Sequence, residues 1–249
     1  MAAAASSSSS SPSSAPFSTL LSRRRILLVR HGNTGKAEVD ADRRLTDKGK
    51  GQCAAFQEHY SAKLQSVANC VCSPVTRTWE TAELLFAQRD DIAVAPIEEL
   101  YFGRPGFRSD VMVAAEKKLG YAPVSAYLRE CPGVYEAGAL EMASALARAA
   151  DGFAEGDVLV VSHAVYISHL ALALIDALSL PHPEEEEEEG GGRRAWRAAA
   201  RDAVLPVNVG EVCCFELSSD GVRYLPNPTA TDFASASSND AFVTGGGKS

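Results

Sequence analysis

Short runs of consecutive apolar residues recur along most of the chain. Four of these runs have the length and the β-branched content of strands that are buried on both faces. They are Ile26–Val29, Val67–Cys72, the weaker Ile92–Ile97, and Asp157–Val161. Strands of this kind are typical of parallel sheets, because a sheet with one solvated face shows alternating apolar and polar residues instead.

Segments with helical periodicity separate the predicted strands. The predicted helices run from Thr46 to about residue 64, from Ser73 to about residue 88, over Ala139–Ala150 and over Val165–Leu178. Ser73 favours a helix start as the N-cap, followed by Pro74 in the first turn. The alternation predicts an α/β fold, a three-layer sandwich with a mainly parallel sheet and helices on both faces.

One apolar stretch, Val158 to Leu180, is long enough to cross a bilayer. Polar residues interrupt it, among them His163 and Asp176, and it divides into a β-branched run and a helical run. We therefore interpret it as a buried strand followed by a buried helix.

The C-terminal half contains two less regular parts. Residues 103–134, rich in Gly, Pro, Arg and aromatic residues, are predicted to be an irregular insertion with one short helix near 109–118. Val207–Leu217 and Val222–Leu225 are predicted to be edge strands around a turn at Asp220.

Three segments have too few apolar residues to join a core. Residues 1–24 are rich in Ser and Ala, residues 183–194 contain six consecutive Glu, and residues 227–249 lack a strand or helix pattern. We predict disordered ends, a solvated loop at 183–194 and one domain over 25–226. The acid-free, Arg-ending first segment resembles a plastid transit peptide, and a plain disordered tail of a cytoplasmic protein is the alternative. Either reading predicts an intracellular protein.

The overall charge narrows the choice of partners. The formal net charge is -8, and the first 25 residues contain three Arg and no acidic residue, so the remainder is more acidic still. An acidic body argues against nucleic acid and against an anionic membrane as the partner. None of the six Cys forms a C-x-x-C motif, which favours reduced, buried thiols over a metal site or a disulfide framework.

Charged and nucleophilic residues follow the predicted strands. Arg30 and His31 follow the first strand, Arg77 the second, Glu99 the third and His163 the fourth. In open parallel sheets the ligand binds at the carboxyl ends of the strands, so we expect these side chains to converge.

This set of residues suits phosphoryl transfer. Arg30 and Arg77 can each donate two hydrogen bonds to phosphate oxygens, and a neutral imidazole is a competent nucleophile at phosphorus. A carboxyl group can protonate the leaving oxygen. The chemistry requires no cofactor, and no metal-ligand spacing is present, so we predict no metal and a small phosphorylated substrate.

Four motifs in order resemble the histidine phosphatase (phosphoglycerate mutase-like) superfamily. They are Arg30-His31-Gly32, the L-T-x-x-G segment from Leu45 to Gly49, the S-P-x-x-R-x-x-x-T-A segment from Ser73 to Ala82, and Ser162-His163. The resemblance covers residues 26 to 217. It implies a phosphoglycerate mutase-like fold and a metal-independent phosphomonoester hydrolase.

The resemblance also implies individual roles. His31 would be the nucleophile that carries the phosphohistidine, with Arg30, Arg77 and His163 around the phosphate. Glu99, four residues before Gly103, would be the general acid and base, with Glu98 as the fallback.

The chain departs from the family pattern at two positions near the nucleophile. Asn33 stands where Glu or Gln is common, and Ala37 stands where many members have a phosphate-contacting Asn. The pocket is therefore expected to use Asn33 or Thr34 for phosphate binding, or Lys36.

Three other functions stay open at this stage. A phosphoglycerate mutase is disfavoured, because Leu100, Tyr101 and Phe102 replace the basic residues that follow the acid in mutases. The spacing from Asp42 to Thr46 resembles that of protein phosphohistidine phosphatases, but such proteins are shorter and do without the acid. A non-catalytic phosphate-binding module would lack some of the five main residues, and none is missing.

Overall fold

The computed structural model describes residues 24–104, 107–178 and 190–230. Most of the predicted N-terminal segment 1–24, the first seven residues of the predicted loop 183–194, and all but four residues of the predicted tail 227–249 lie outside these ranges. Among the described residues, no helix combines the length and the apolar character needed to cross a membrane.

Six strands form one sheet. Its strands are β1 (Ile26–Arg30), β2 (Val67–Cys72), β3 (Val94–Pro96), β4 (Asp157–Ser162), β5 (Cys214–Ser218) and β6 (Gly221–Leu225). Their order is β3-β2-β4-β1-β5-β6. The first four are mutually parallel, whereas β5 is antiparallel to both β1 and β6. The mainly parallel sheet is confirmed. Of the two strands predicted to be edges, β6 lies at an edge of the sheet, whereas β5 lies inside it.

Eight α-helices surround this sheet within the described residues. They are α1 (Asp47–His59), α2 (Ser61–Gln65), α3 (Thr76–Leu85), α4 (Asp110–Leu119), α5 (Val124–Glu130), α6 (Glu136–Ala150), α7 (Ala164–Leu178) and α8 (Gly190–Val204). β4 and α7 confirm the interpretation of the long apolar stretch as a strand followed by a helix.

The two faces of the sheet carry separate hydrophobic cores. Successive side chains of a strand point to opposite faces, so Ile26 and Leu28 pack with α4 to α8, while Leu27 and Val29 pack with α1 to α3. All residues of β1 and β4 are buried. This arrangement is the predicted three-layer sandwich.

Several element boundaries differ from the predictions. The helix predicted from Ser73 begins at Thr76, with Val75 in the N-cap position and no side-chain cap. The Ser73 hydroxyl instead lies 2.9 Å from Nε2 of His163. The Ser73 side chain therefore forms a tertiary hydrogen bond with His163 instead of capping the helix, which is the role that the local sequence predicts.

The predicted loop and insertion contain more helix than expected. Residues 190–194, predicted as part of a loop, form the first turns of α8. Further along α8, Arg197 and Arg201 bind the carboxylate of Asp176 on α7 at 3.0 Å and 2.7 Å. Residues 103–134 contain two helices, α4 and α5, where one was predicted.

The C-terminal boundary also extends beyond residue 226. Asn227 is buried, and its amide donates to the carbonyls of Gln52 and Val212 at 2.9 Å and 3.1 Å. This residue therefore belongs to the folded domain and not to the tail predicted from 227 onward.

Candidate active site

The two central parallel strands deliver two histidines side by side. Arg30 at the end of β1 is in register with Ser162 at the end of β4. His31 and His163 follow these residues, so they leave the sheet at the same level. The amide of His31 donates to the Ser162 carbonyl at 3.0 Å, and the two imidazole centres lie 5.2 Å apart.

The tautomer of His31 is fixed by its own backbone. Nδ1 lies 2.7 Å from the carbonyl oxygen of Gly32. A carbonyl only accepts, so Nδ1 carries the proton and Nε2 keeps its lone pair. Burial, followed by the positive charge of Arg30, lowers the pKa of His31 to about 3. The imidazole is therefore neutral at pH 7 and can act as a nucleophile.

A residue that follows the neighbouring strand β2 forms a hydrogen bond with His163. Ser73, directly after β2, donates its backbone N–H to the Val161 carbonyl at 3.0 Å, which brings its hydroxyl to His163. Burial, together with the nearby His31 and Arg77, lowers the pKa of His163 well below its ordinary value. This second imidazole is also neutral at pH 7.

Two buried guanidinium groups flank the histidines. Nη1 of Arg30 donates to the Val209 carbonyl at 2.7 Å, and Arg77 donates to the Asp40 carbonyl and carboxylate at 2.7 Å and 2.9 Å. Each arginine is 4% exposed, and within the described residues Nε of both has no hydrogen-bond partner. Buried donors of this kind are normally satisfied, so they indicate an anionic ligand.

A loop that follows β1 adds a third arginine to this cluster. The Asp40 carboxylate binds Arg77, and also Arg43 at 3.2 Å and the Tyr101 hydroxyl at 3.1 Å. Burial alone would raise the pKa of Asp40, but these three partners outweigh it and lower that pKa. The sequence reasoning missed Asp40, Arg43 and Tyr101. The one signal for them was the Asp- and Arg-rich segment before the Leu45-Thr46 motif.

Of the three residues predicted to supplement the phosphate pocket, two line the cavity, and they do so in different ways. The Asn33 amide donates to Glu211 at 2.7 Å, and its carbonyl accepts from Thr46 at 2.7 Å, so its side chain is engaged by the protein. The Thr34 hydroxyl accepts from Arg43 and keeps its own proton to donate. Lys36 is exposed and does not line the cavity.

Glu211, which the sequence reasoning also missed, closes this side of the cavity. Its carboxylate accepts from Asn33 and from Gln52 at 2.9 Å, and Lys48 lies 3.5 Å away. Burial would raise the pKa of Glu211, but its hydrogen bonds with Gln52 and Asn33 and the nearby cations lower it overall. It is therefore ionised at pH 7.

Glu99 is the predicted site residue that the structure does not bring to the others. Its carboxylate forms an ion pair with Arg148 of α6 at 2.9 Å, and it is absent from the lining of the cavity. It lies in a short 3-10 turn, Glu98–Leu100, in which Leu100 is fully buried and Glu98 is exposed. The fallback, Glu98, does not line the cavity either.

The converging side chains line a cavity of about 450 Å³ at the carboxyl ends of the parallel strands. Arg30, His31, Arg77 and His163 lie on one side of it, and Arg108, Glu116 and Tyr121 come from the insertion. No cluster of three or more His, Cys, Asp or Glu residues suited to a metal ion occurs in the described part of the chain.

The comparison with known families decides to which family the chain belongs. The family model of the histidine phosphatase superfamily (branch 1) matches residues 26–185. This chain belongs to the histidine phosphatase superfamily. The two histidines, Arg30 and Arg77 all lie inside the matched region of the phosphatase.

Several solved structures are similar to this chain at low sequence identity. A mycobacterial glucosyl-3-phosphoglycerate phosphatase is 18% identical, with 82% of this chain and 98% of that chain covered and a TM-score of 0.50. A phosphoserine phosphatase from Entamoeba histolytica is 15% identical, with 84% and 99% covered and a TM-score of 0.48. YhfR from Bacillus stearothermophilus is 18% identical, with 83% and 98% covered and a TM-score of 0.48. No curated protein matches the sequence of this histidine phosphatase.

Proposed function

We propose that the protein hydrolyses phosphomonoesters through a phosphohistidine intermediate on Nε2 of His31. The observation that carries the proposal is the hydrogen bond from Nδ1 of His31 to the Gly32 carbonyl. It leaves the lone pair on Nε2 of a buried, neutral imidazole, beside two buried guanidinium groups with unused donors. A cavity of this size suits a small phosphorylated molecule.

The phosphate is held by Arg30 and Arg77, whose planar guanidinium groups match its non-bridging oxygens. His163 contributes a further donor at Nδ1 when the Ser73 hydroxyl donates to its Nε2. Thr34 and Arg43 lie at the same cavity and add two more donors. Donors placed in advance around the phosphoryl group stabilise the charge that develops in the transition state.

The reaction proceeds in two displacements. Nε2 of His31 attacks phosphorus while the bond to the leaving oxygen breaks, and that oxygen departs with the electron pair and takes a proton from water. A water molecule then attacks the phosphohistidine, the phosphorus–nitrogen bond breaks with its electron pair returning to Nε2, and inorganic phosphate is released with a proton passing to solvent. Neither step needs a metal ion. Each negative charge on the phosphoryl oxygens is met by an arginine or by an N–H or O–H donor.

The first experiment measures p-nitrophenyl phosphate hydrolysis in the presence of EDTA. His31→Ala should lose all turnover, while His59→Ala, at an exposed position of α1, should retain the wild-type rate. Brief incubation of the wild type with substrate should trap an acid-labile, alkali-stable phosphoprotein. Turnover that survives in His31→Ala, or that disappears with EDTA, would contradict the proposal.

A second candidate function is the hydrolysis of phosphohistidine, and the position of Glu99 favours it. The ion pair between Glu99 and Arg148 holds the predicted acid away from the cavity. The imidazole of a phosphohistidine leaves phosphorus more readily than an alkoxide does, so its departure depends less on an acid. An acid contributes on the order of 10²- to 10⁴-fold to a step that requires proton transfer.

The substitution Glu99→Gln separates the two candidates. If Glu99 is the acid, an alkyl phosphate should lose far more of its kcat/KM than p-nitrophenyl phosphate does. If Glu99 serves only the ion pair, both substrates should be affected equally and in the same way as by Arg148→Gln. In that case phosphohistidine should be hydrolysed with a higher kcat/KM than O-phosphoserine.

A further inference from the structure

An exposed aromatic ring stands over one of the two arginines of the phosphate pocket. The ring centre of Tyr121 lies 4.4 Å from Cζ of Arg30. The residue is nevertheless 68% exposed, the largest fraction among the exposed large hydrophobic residues of the described chain. One part of the ring therefore covers the guanidinium, and the rest is accessible from the cavity that both residues line.

Hydrogen bonds to its backbone hold the turn that carries Tyr121. Helix α4 ends at Leu119, and the next residue, Gly120, has a φ of +56°, in the region that favours glycine. The Gly120 carbonyl accepts from the Tyr127 hydroxyl at 2.5 Å, and the Ala122 amide donates to Leu119 at 3.0 Å. These hydrogen bonds hold the backbone on both sides of Tyr121, so less backbone entropy is lost when a ligand binds.

The neighbouring wall of the cavity offers no unpaired cation among its described residues. Arg108 forms an ion pair with Glu116, and the Tyr166 hydroxyl donates to the other oxygen of that carboxylate at 2.8 Å. A second anionic group on the substrate would therefore gain little here. The wall combines tyrosine rings with an ion pair that is neutral overall, which suits an ester whose flat ring carries no further charge.

We propose that Tyr121 determines specificity by binding the ring of an aromatic leaving group, so that phosphorylated phenols are the substrate class. This inference rests on the proposed hydrolase function. As Nε2 of His31 bonds to phosphorus, the phosphorus–oxygen bond breaks and the phenolate departs with the electron pair, then takes a proton from water. A phenolate leaves without an enzymatic acid, in agreement with the pairing of Glu99 with Arg148.

The test compares two esters that differ in ring area but have leaving groups of similar acidity, phenyl phosphate and 2-naphthyl phosphate. In the wild type, 2-naphthyl phosphate should have the higher kcat/KM by about two- to tenfold, the range typical of an aromatic contact. Tyr121→Phe should keep this preference and Tyr121→Ala should lose it. Lys117→Ala, at an exposed position of the helix α4 that precedes Tyr121, should behave as the wild type.

The ratio of the two substrates isolates the role of the ring. Any effect of Tyr121→Ala on Arg30 changes both esters alike and cancels in the ratio. A wild type without preference, or a Tyr121→Ala variant that retains it, would overturn the inference while leaving the hydrolase intact. If neither ester is hydrolysed and no phosphohistidine can be trapped, the proposed function fails and the role of Tyr121 fails with it.

Discussion

The buried, neutral state of His31 makes the stability of the fold depend on pH. The unfolded chain binds a proton at this imidazole near its ordinary pKa of 6.5, whereas the folded protein does so only at about 3. Below pH 6.5 the unfolded state therefore holds more protons than the folded state. The contribution of this residue to the free energy of unfolding is therefore fully present above pH 6.5, and it is lost progressively as the pH drops towards 3.

The magnitude follows from the separation of the two pKa values. One pKa unit corresponds to about 1.4 kcal/mol, so acidification from pH 7 to pH 4.5 should cost about 2.5 kcal/mol through His31 alone. That is a large part of the total stability of a typical domain, which is about 5–15 kcal/mol.

The assay is urea unfolding at pH 7.0 and pH 4.5 for the wild type and for His31→Gln. The variant removes the titrating group and should lose about 2.5 kcal/mol less than the wild type over this interval. His59→Gln controls for loss of an imidazole at an exposed position. Equal losses in the wild type and His31→Gln would refute the assignment of a buried, neutral nucleophile.

Three further predictions concern the pocket, its packing and the thiols. Arg77→Lys should lower kcat/KM by about 10²- to 10³-fold, measured with p-nitrophenyl phosphate, because a point charge replaces a planar donor. Gly49→Ala should lower the melting temperature, since its Cβ would lie 2.2 Å from the Asn33 carbonyl, whereas Gly51→Ala meets no atom within 4 Å and should raise it. A thiol reagent should label none of the six buried cysteines in the native protein and all six after denaturation.

The central part of the fold could be predicted from sequence because its signals are local. The apolar runs that became β1 and β4 are buried on both faces, and a parallel sheet brings their carboxyl ends together. The position of His31 beside His163 therefore follows from the sequence pattern. The order of the motifs along the chain also identified Arg77. The sequence pattern predicts its position at the start of a helix as well.

The parts that could not be predicted depend on contacts between distant residues. Glu99 is drawn to Arg148, a partner 49 residues away, and no local pattern reveals that ion pair. Asp40 and Arg43 lie in a loop whose place beside Arg77 is set by tertiary structure alone. Helix α8 differs from these cases because its signal is local. The Ala- and Arg-rich composition of residues 195–204 favours a helix, but the neighbouring Glu run obscured it.

The placement of β5 beside β1 has a consequence for truncated forms of the protein. The family match ends at residue 185, but β1 pairs with β5, and Arg30 is anchored by the Val209 carbonyl. A fragment that stopped at residue 185 would expose one hydrogen-bonding edge of β1, a fully apolar strand apart from its last residue. Such edges pair readily with other chains. The fragment should therefore self-associate and lack activity, and an active protein should require residues well beyond the segment that the family model matches.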